Sequence, residues 1–352
     1  MDINNLLKLA AEKKASDIHL LFDQAPILRI DGELSDINKI VPDGAFAKLT
    51  AADLESFSQT LLSKEQRARF SDKRDLDLGY QVEAYRYRIN FSFEKNNTRI
   101  VARVIDSRKP SLQEIGMPPV VEDLLNLPQG FILVTGPTGC GKSTTLAAMI
   151  NYINETRGVN IITLEDPIEY IFTPAKSIIS QRQLGEDMLS FAAGLKHILR
   201  QDPNVIMLGE MRDPETMAAA VTLAETGHLV FATLHTYNAA QTVDRIIDSF
   251  PPHQQNQIKS QLSGVLSAII SQRLLPRIKG GRIAAREVLI NNEAIANLIR
   301  EGKTAQIKST IETNASIGMI TLDRHLKELY QAGEISREVA ERNMEDIGML
   351  GA

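Results

Sequence analysis

Tryptophan is absent from this 352-residue chain, aromatic residues reach only 5%, and cysteine occurs once, as Cys140. A single thiol excludes both an intramolecular disulfide framework and a four-thiolate zinc site. It also points to a reducing compartment. No uninterrupted run of about eighteen apolar residues occurs, and the opening stretch Met-Asp-Ile-Asn-Asn-Leu-Leu-Lys lacks the basic flank and apolar core of a leader. No segment is therefore expected to span a membrane, so a membrane role must run through a partner protein. A basic excess is missing too. The net charge of -5 and the pI near 5.8 argue against nucleic acid as the main partner.

What remains is an ordinary globular composition, 43% hydrophobic and 24% charged. The length exceeds what one core usually holds, which favours two domains with a third short element. Residues 1–108 read as a small α+β domain: an amphipathic helix over 3–14, short alternating segments at 18–22 and 27–30, and a turn at Asp31-Gly32. Tyr85–Phe91 and Arg99–Ile105 then read as two strands of a hairpin joined across 94–98. Turn formers concentrate in Lys109-Pro110-Ser111 and Gly116-Met117-Pro118-Pro119, so 109–119 is expected to be the interdomain linker.

From 120 to 275 the pattern alternates short apolar runs with helices. The runs Phe131–Val134, Asn160–Leu164, Val205–Leu208 and Leu229–Leu234 are too short for helices and are bounded by turns or charges. They predict the central strands of a parallel α/β domain. From about residue 255 the spacing turns helical, over 261–275, 293–301 and 321–331, so 276–352 is expected to be a helical C-terminal region.

Gly136-Pro137-Thr138-Gly139-Cys140-Gly141-Lys142-Ser143 matches the phosphate-loop pattern in full, after an apolar strand and before a helix expected over 144–154, so Thr144 opens that helix. Such glycines let backbone N–H groups turn inward around phosphate, and the helix N-terminus adds its partial positive charge. The expected ligands are ATP and Mg²⁺. Lys142 is expected to reach the β- and γ-phosphates, and Ser143 to offer its hydroxyl to Mg²⁺. Cys140 is expected to be a small filler rather than a redox centre.

Glu210 ends the apolar strand at 205–208 and takes the Walker B position, touching Mg²⁺ directly or through its waters. Thr163-Leu164-Glu165-Asp166-Pro167-Ile168-Glu169 places three acids just beyond another strand. Glu169 is the first choice for orienting or deprotonating the attacking water and Glu165 the second. His228 and His235 flank the strand at 229–234, roughly 23 Å apart, so only His235 can sense γ-phosphate. Arg86 and Arg88 share one strand face, as do Arg99 and Arg103 on the next strand. Arg88 and Arg103 are the candidates for arginine fingers acting on a neighbouring subunit's phosphate.

The phosphate loop, the Glu-Asp-Pro-Ile-Glu acid box, the glutamate-type Walker B and the His228/His235 pair together resemble the secretion ATPase superfamily of type IV pilus and type II secretion motors. The resemblance covers nearly the whole chain, since Ser16-Asp17-Ile18-His19-Leu20 is similar to the start of that family's PAS-like N-terminal domain. Ala294-Ile295-Ala296-Asn297-Leu298-Ile299-Arg300-Glu301-Gly302-Lys303 is similar to the signature of the family's pilus-retraction branch. Ala296 stands where that signature has arginine, and Ala305 where it often has histidine.

The resemblance implies a RecA-like core, a homo-hexameric ring in the cytoplasm and force passed to an inner-membrane pilus platform protein. An assembly or secretion ATPase is the alternative within the family; such proteins usually carry an extra N-terminal domain and often a four-cysteine zinc site, and the sequence shows neither. A catalytically silent nucleotide-binding scaffold would be expected to lack Lys142, Glu169 or Glu210. A nucleic-acid translocase would need a basic, aromatic-studded channel.

Overall fold

The computed structural model describes residues 2–30, 32–41, 46–105 and 108–351. Two compact units emerge, Met1–Arg108 with Pro167–Ile171, and Lys109–Asp166 with Phe172–Ala352.

In the first unit, Asp2 caps the helix Ile3–Glu12 by accepting from Asn4 N–H, and Ile3, Leu6, Leu7 and Ala10 form its buried stripe. The helices Ala51–Leu61 and Lys64–Lys73 each begin with a capping box, Thr50 with Asp53 and Ser63 with Gln66. The strands are β1 (Asp17–Leu20), β2 (Ile27–Ile30), β3 (Glu33–Asp36), β4 (Asp75–Val82), β5 (Tyr85–Glu94) and β6 (Asn97–Ile105). They form one antiparallel sheet in the order β3-β2-β1-β6-β5-β4. Tyr87, Ile89 and Phe91 are fully buried on one face of β5, so Arg86 and Arg88 necessarily occupy the other. The expected hairpin closes more tightly than 94–98 suggested. Glu94 pairs with Asn97, and Lys95 and Asn96 both have positive φ, as a two-residue hairpin turn requires. Asp31, half of the other expected turn, lies outside the described residues.

The strands of the second unit are β7 (Gly130–Thr135), β8 (Asn160–Glu165), β9 (Ile178–Gln183), β10 (Val205–Leu208), β11 (Leu229–Leu234), β12 (Leu266–Pro276) and β13 (Arg282–Ile290). Their order is β13-β12-β7-β11-β10-β8-β9, parallel throughout except for the antiparallel edge strand β13. β7, β10 and β11 are buried at every position, which is why they read as unbroken apolar runs rather than alternating ones. The helix after β7 spans Lys142–Thr156, and Asp213 caps Pro214–Glu225 through Thr216 N–H.

The helix expected over 261–275 is a correction. A helix covers only Pro252–Val265, and the chain then becomes β12, which turns through Gly280-Gly281 into β13. Leu262, Val265, Leu266, Ile269 and Ile270 do fit a helical period. The vacant edge beside β7 offers backbone partners along Leu266–Ser271, and that pairing overrides the local period. The region 276–352 thus opens with a strand and is helical from Glu293–Glu301 onward, through Ile307–Thr313, Leu322–Gln331 and Arg337–Asn343. Among the described residues, no helix is long and apolar enough to cross a membrane.

Candidate active site

Parallel strands deliver their following residues to one end of the sheet, and the strand order decides which of them meet. β11 lies between β7 and β10. The residue after β11, His235, therefore sits between the loop after β7 and the carboxylate after β10. His235 Nδ1 lies 3.5 Å from both Lys142 Nζ and Thr138 Oγ1, while its Nε2 lies 3.1 Å from Glu210 Oε1.

Residues 136–141 form the loop, with positive φ at Gly136, Gly139 and Gly141. At Gly136 a side chain is sterically barred, since a Cβ would stand 2.3 Å from the Gln272 carbonyl oxygen. The helix Lys142–Thr156 starts without a side-chain cap, an arrangement that leaves its N-terminal donors for a ligand. Lys142 Nζ donates to the carbonyls of Gly136 at 2.7 Å and Pro137 at 3.1 Å. Burial lowers its pKa, opposed by Cys140 and Glu210. Thr138, Gly139 and Ser143 are exposed, and Thr144 is half-buried. Cys140 is buried, and burial pushes its thiol up, so its side chain packs and does not offer a thiolate.

Glu210 is held from two sides. Its Oε2 accepts from Arg212 at 2.8 Å and its Oε1 faces His235. Burial raises its pKa, but Arg212, His235 and Lys142 outweigh that and hold the carboxyl below the usual range. The backbone is fixed as well: Met211 N–H donates to Thr233 O, and the Thr233 hydroxyl donates to Gly209 O.

The acid box divides. Glu165 is 7% exposed and turned into the sheet, where Oε1 accepts from Thr163 Oγ1 at 2.6 Å and Gln181 Nε2 at 3.0 Å. Glu169 is half-buried in the segment Pro167–Ile171, which belongs to the first unit. One residue before it, the Ile168 carbonyl accepts from Arg86 Nε at 3.0 Å. His228, at the opposite end of β11, faces Leu223 O at 2.9 Å and Thr226 Oγ1 at 3.2 Å.

On the first unit's sheet, Arg103 donates to Asp17 at 2.8 Å and Arg88 lies 3.8 Å from Asp77. Both guanidiniums remain substantially exposed, at 68% and 41%.

Two residues at the site escaped sequence reading. Arg212 was legible in principle, because i and i+2 of an extended chain share a side. Gln272 was not, because it lies in the segment mistaken for helix. It is 2% exposed, accepts from Thr145 Oγ1 at 2.9 Å and donates to Cys140 O at 2.8 Å, so β12 braces the phosphate loop. Its neighbour Ser271 accepts from Thr135 Oγ1 at 2.8 Å.

Comparison with known proteins matches residues 1–347 to the Type II/IV secretion system protein family. The type IV pilus retraction ATPase PilT of Pseudomonas aeruginosa is 43% identical over 341 residues, 97% of each chain. A twitching motility protein of Neisseria gonorrhoeae is 44% identical over 323 residues, 91% of this chain and 84% of that one. Among solved structures, the pilus retraction motor PilT with bound ADP superposes with a TM-score of 0.91 at 43% identity, over 99% of both chains. The Legionella pneumophila ATPase DotB superposes with a TM-score of 0.79 at 26% identity, over 97% of this chain and 94% of that one.

Proposed function

The chain belongs to the type II/IV secretion system protein family and is an ATPase, and we propose that its hydrolysis drives retraction of a type IV pilus. The observation that carries the chemistry is the convergence of Lys142, His235 and Glu210 at the ends of β7, β11 and β10. Backbone donors of the loop and the start of the helix Lys142–Thr156 would grip the phosphates, with Lys142 moving from the Gly136 and Pro137 carbonyls to phosphate oxygens. Cys140 and Gln272 shape the loop from beneath. Glu169 would orient the attacking water or take its proton, and His235 would register the γ-phosphate while paired with Glu210.

The site's donor set fits Mg²⁺, which prefers oxygen ligands and keeps several waters. Among the described residues no group of three or more His, Cys, Asp or Glu could hold a metal, so the ion would depend on phosphate and water as well. The Ser143 hydroxyl is exposed for direct contact. Both Glu210 oxygens are engaged by Arg212 and His235, which favours contact through a metal-bound water. When bound, Mg²⁺ would neutralise charge developing on the phosphates.

Arg88 and Arg103 would serve a neighbouring subunit's phosphate in a homo-hexamer placed in the cytoplasm, at the inner membrane through a pilus platform protein. The deciding experiment is genetic and biochemical together. Deletion of the gene should leave pili on the cell that no longer retract, and a Lys142→Ala allele should fail to restore retraction. Bald cells would place the protein in pilus assembly instead.

A further inference from the structure

Arg286 of β13 is 1% exposed, yet among the described residues no carboxylate pairs with it. Its NH1 donates to the Gly116 carbonyl at 2.9 Å, and its Nε has no acceptor among the described residues. Burial lowers its pKa to about 10, so the guanidinium is charged near neutrality. A buried cation with so few acceptors costs stability. A role other than stabilising the fold would account for its position.

Its surroundings indicate that role. Arg286 is register partner to Gln272 across β12 and β13, so both side chains lie on one face with Cβ atoms about 5 Å apart. Gln272 reaches Cys140 O and Thr145 Oγ1, bracketing Lys142 and Ser143. On the other side, Gly116 belongs to a closed turn. Ser111 N–H donates to Glu114 Oε2, Gly116 N–H to Gln113 O, and Met117 N–H to Leu112 O, with Leu112 and Met117 buried. The segment expected to be a linker is thus an ordered turn fastened to β13, and only two buried side chains separate it from the phosphate loop.

We propose that Arg286 and Gln272 form a positioning pair that couples the turn at 111–117 to the phosphate loop, so that nucleotide binding tightens the turn and release loosens it. The proposal rests on the reading of residues 136–143 as a nucleotide site. A close-packed cross-strand pair cannot shift one member alone. A loop clamped on nucleotide and a turn clamped on Arg286 therefore stabilise each other, and the effect must run in both directions.

The test uses the full chain with Mg²⁺ and ADP, reading ADP affinity by calorimetry and amide hydrogen exchange at Gly116 and Met117. In the unmodified protein, saturating ADP should slow exchange at both amides by about threefold or more. Gln272→Leu removes both hydrogen bonds at similar volume and should weaken ADP binding by about fivefold or more. Arg286→Met should speed exchange in the turn, weaken ADP binding and abolish the response of the turn to ADP, whereas Arg286→Lys should retain part of it. Faster exchange in Arg286→Met with ADP affinity within about twofold of the unmodified protein would reduce Arg286 to a local anchor and overturn the coupling. So would an unmodified protein whose turn ignores ADP, a measurement that needs no variant to fold. Wild-type ADP binding by Lys142→Ala would instead sink the nucleotide site itself.

Discussion

Arg88 of β5 stands directly opposite Arg103 of β6, two like charges in register on the face of the sheet that the first unit's core leaves outside. Directly opposed like charges weaken a strand pair. Asp17 and Asp77 offset the repulsion only from the flanks, at 2.8 Å from Arg103 and 3.8 Å from Arg88. The pair is thus poised to gain from an added anion. If that anion is a neighbouring subunit's γ-phosphate, Arg88→Ala or Arg103→Ala should lower turnover by about tenfold or more. Co-assembly of either variant with Lys142→Ala should recover activity, because some junctions then combine an intact arginine with an intact phosphate loop. A mixture no more active than its parents, with co-assembly demonstrated by pull-down, would place the arginines outside the reaction.

The two acids of the acid box should separate by phenotype. Glu169→Gln should bind ATP normally and lower turnover about a hundredfold or more. Glu165→Gln should act mainly on stability, by about 1–2 kcal/mol, because it disturbs the bonds from Thr163 and Gln181. Single-turnover kinetics and thermal melts on both variants provide the check, and the reverse assignment of effects would move the base to Glu165.

At Glu210 the dominant stabilising influence against burial is Arg212. Arg212→Ala should let the carboxyl rise towards or above the ordinary carboxylate pKa. The acid limb of kcat/KM against pH should then move to higher pH, with the alkaline limb unchanged. An unmoved acid limb would mean that Glu210 does not titrate in the rate-limiting state.

His325 carries a pH dependence of stability. Its Nδ1 accepts from Arg286 N–H at 2.9 Å, and burial depresses its pKa below the ordinary 6.5, against the Arg286 carbonyl. A depressed folded-state pKa means the unfolded chain binds more protons as pH drops past about 6.5. The contribution is therefore present above that pH and lost below it, as pH falls through the folded value. His325→Gln, whose amide oxygen can also accept from Arg286, should flatten the fall in melting temperature between pH 7.5 and 5.5. Parallel melting curves against pH would assign that dependence to other groups.

The helix Glu293–Glu301 separates packing from surface within one turn. Ile295 and Ile299 are fully buried, Ala294 is exposed and Leu298 packs only partly. Ile299→Ala should cost about 2–5 kcal/mol. Arg300 is exposed and bonds to Asn297 at 2.7 Å, and Lys303 pairs with Glu301 at 2.7 Å, largely in solvent. Replacing both cations with Glu should leave folding and basal ATPase near wild type while abolishing retraction in cells. Intact retraction in that double variant would remove this surface from the force pathway.

The glycine-rich turn at 136–141 before the helix Lys142–Thr156 was legible because its glycines and lysine are contiguous, and contiguity is what a sequence displays. The central strands were legible for a related reason: burial on both faces leaves β7, β10 and β11 almost wholly apolar, with Thr135 and Thr233 the polar side chains near their C-terminal ends. The β5–β6 hairpin announced itself through alternation around Tyr87, Ile89 and Phe91. Glu210 and His235 were individually visible at strand ends, but their meeting was not. It depends on β11 lying between β7 and β10, and strand order is a long-range outcome that neighbouring residues do not encode.

The same physical reason separates the rest. The sequence by itself determined the residues on offer, a glycine-rich loop with a lysine and a hydroxyl, and acids and a histidine at the ends of buried strands, because those properties reside in residue types and their local spacing. The tertiary structure alone decided that 266–276 is a strand and not the end of a helix, since its local period fits a helix and only the open edge of β7 rewards extension. That single choice brings Gln272 beneath the loop at 136–143 and sets Arg286 opposite Gln272, through backbone pairing between segments more than a hundred residues apart.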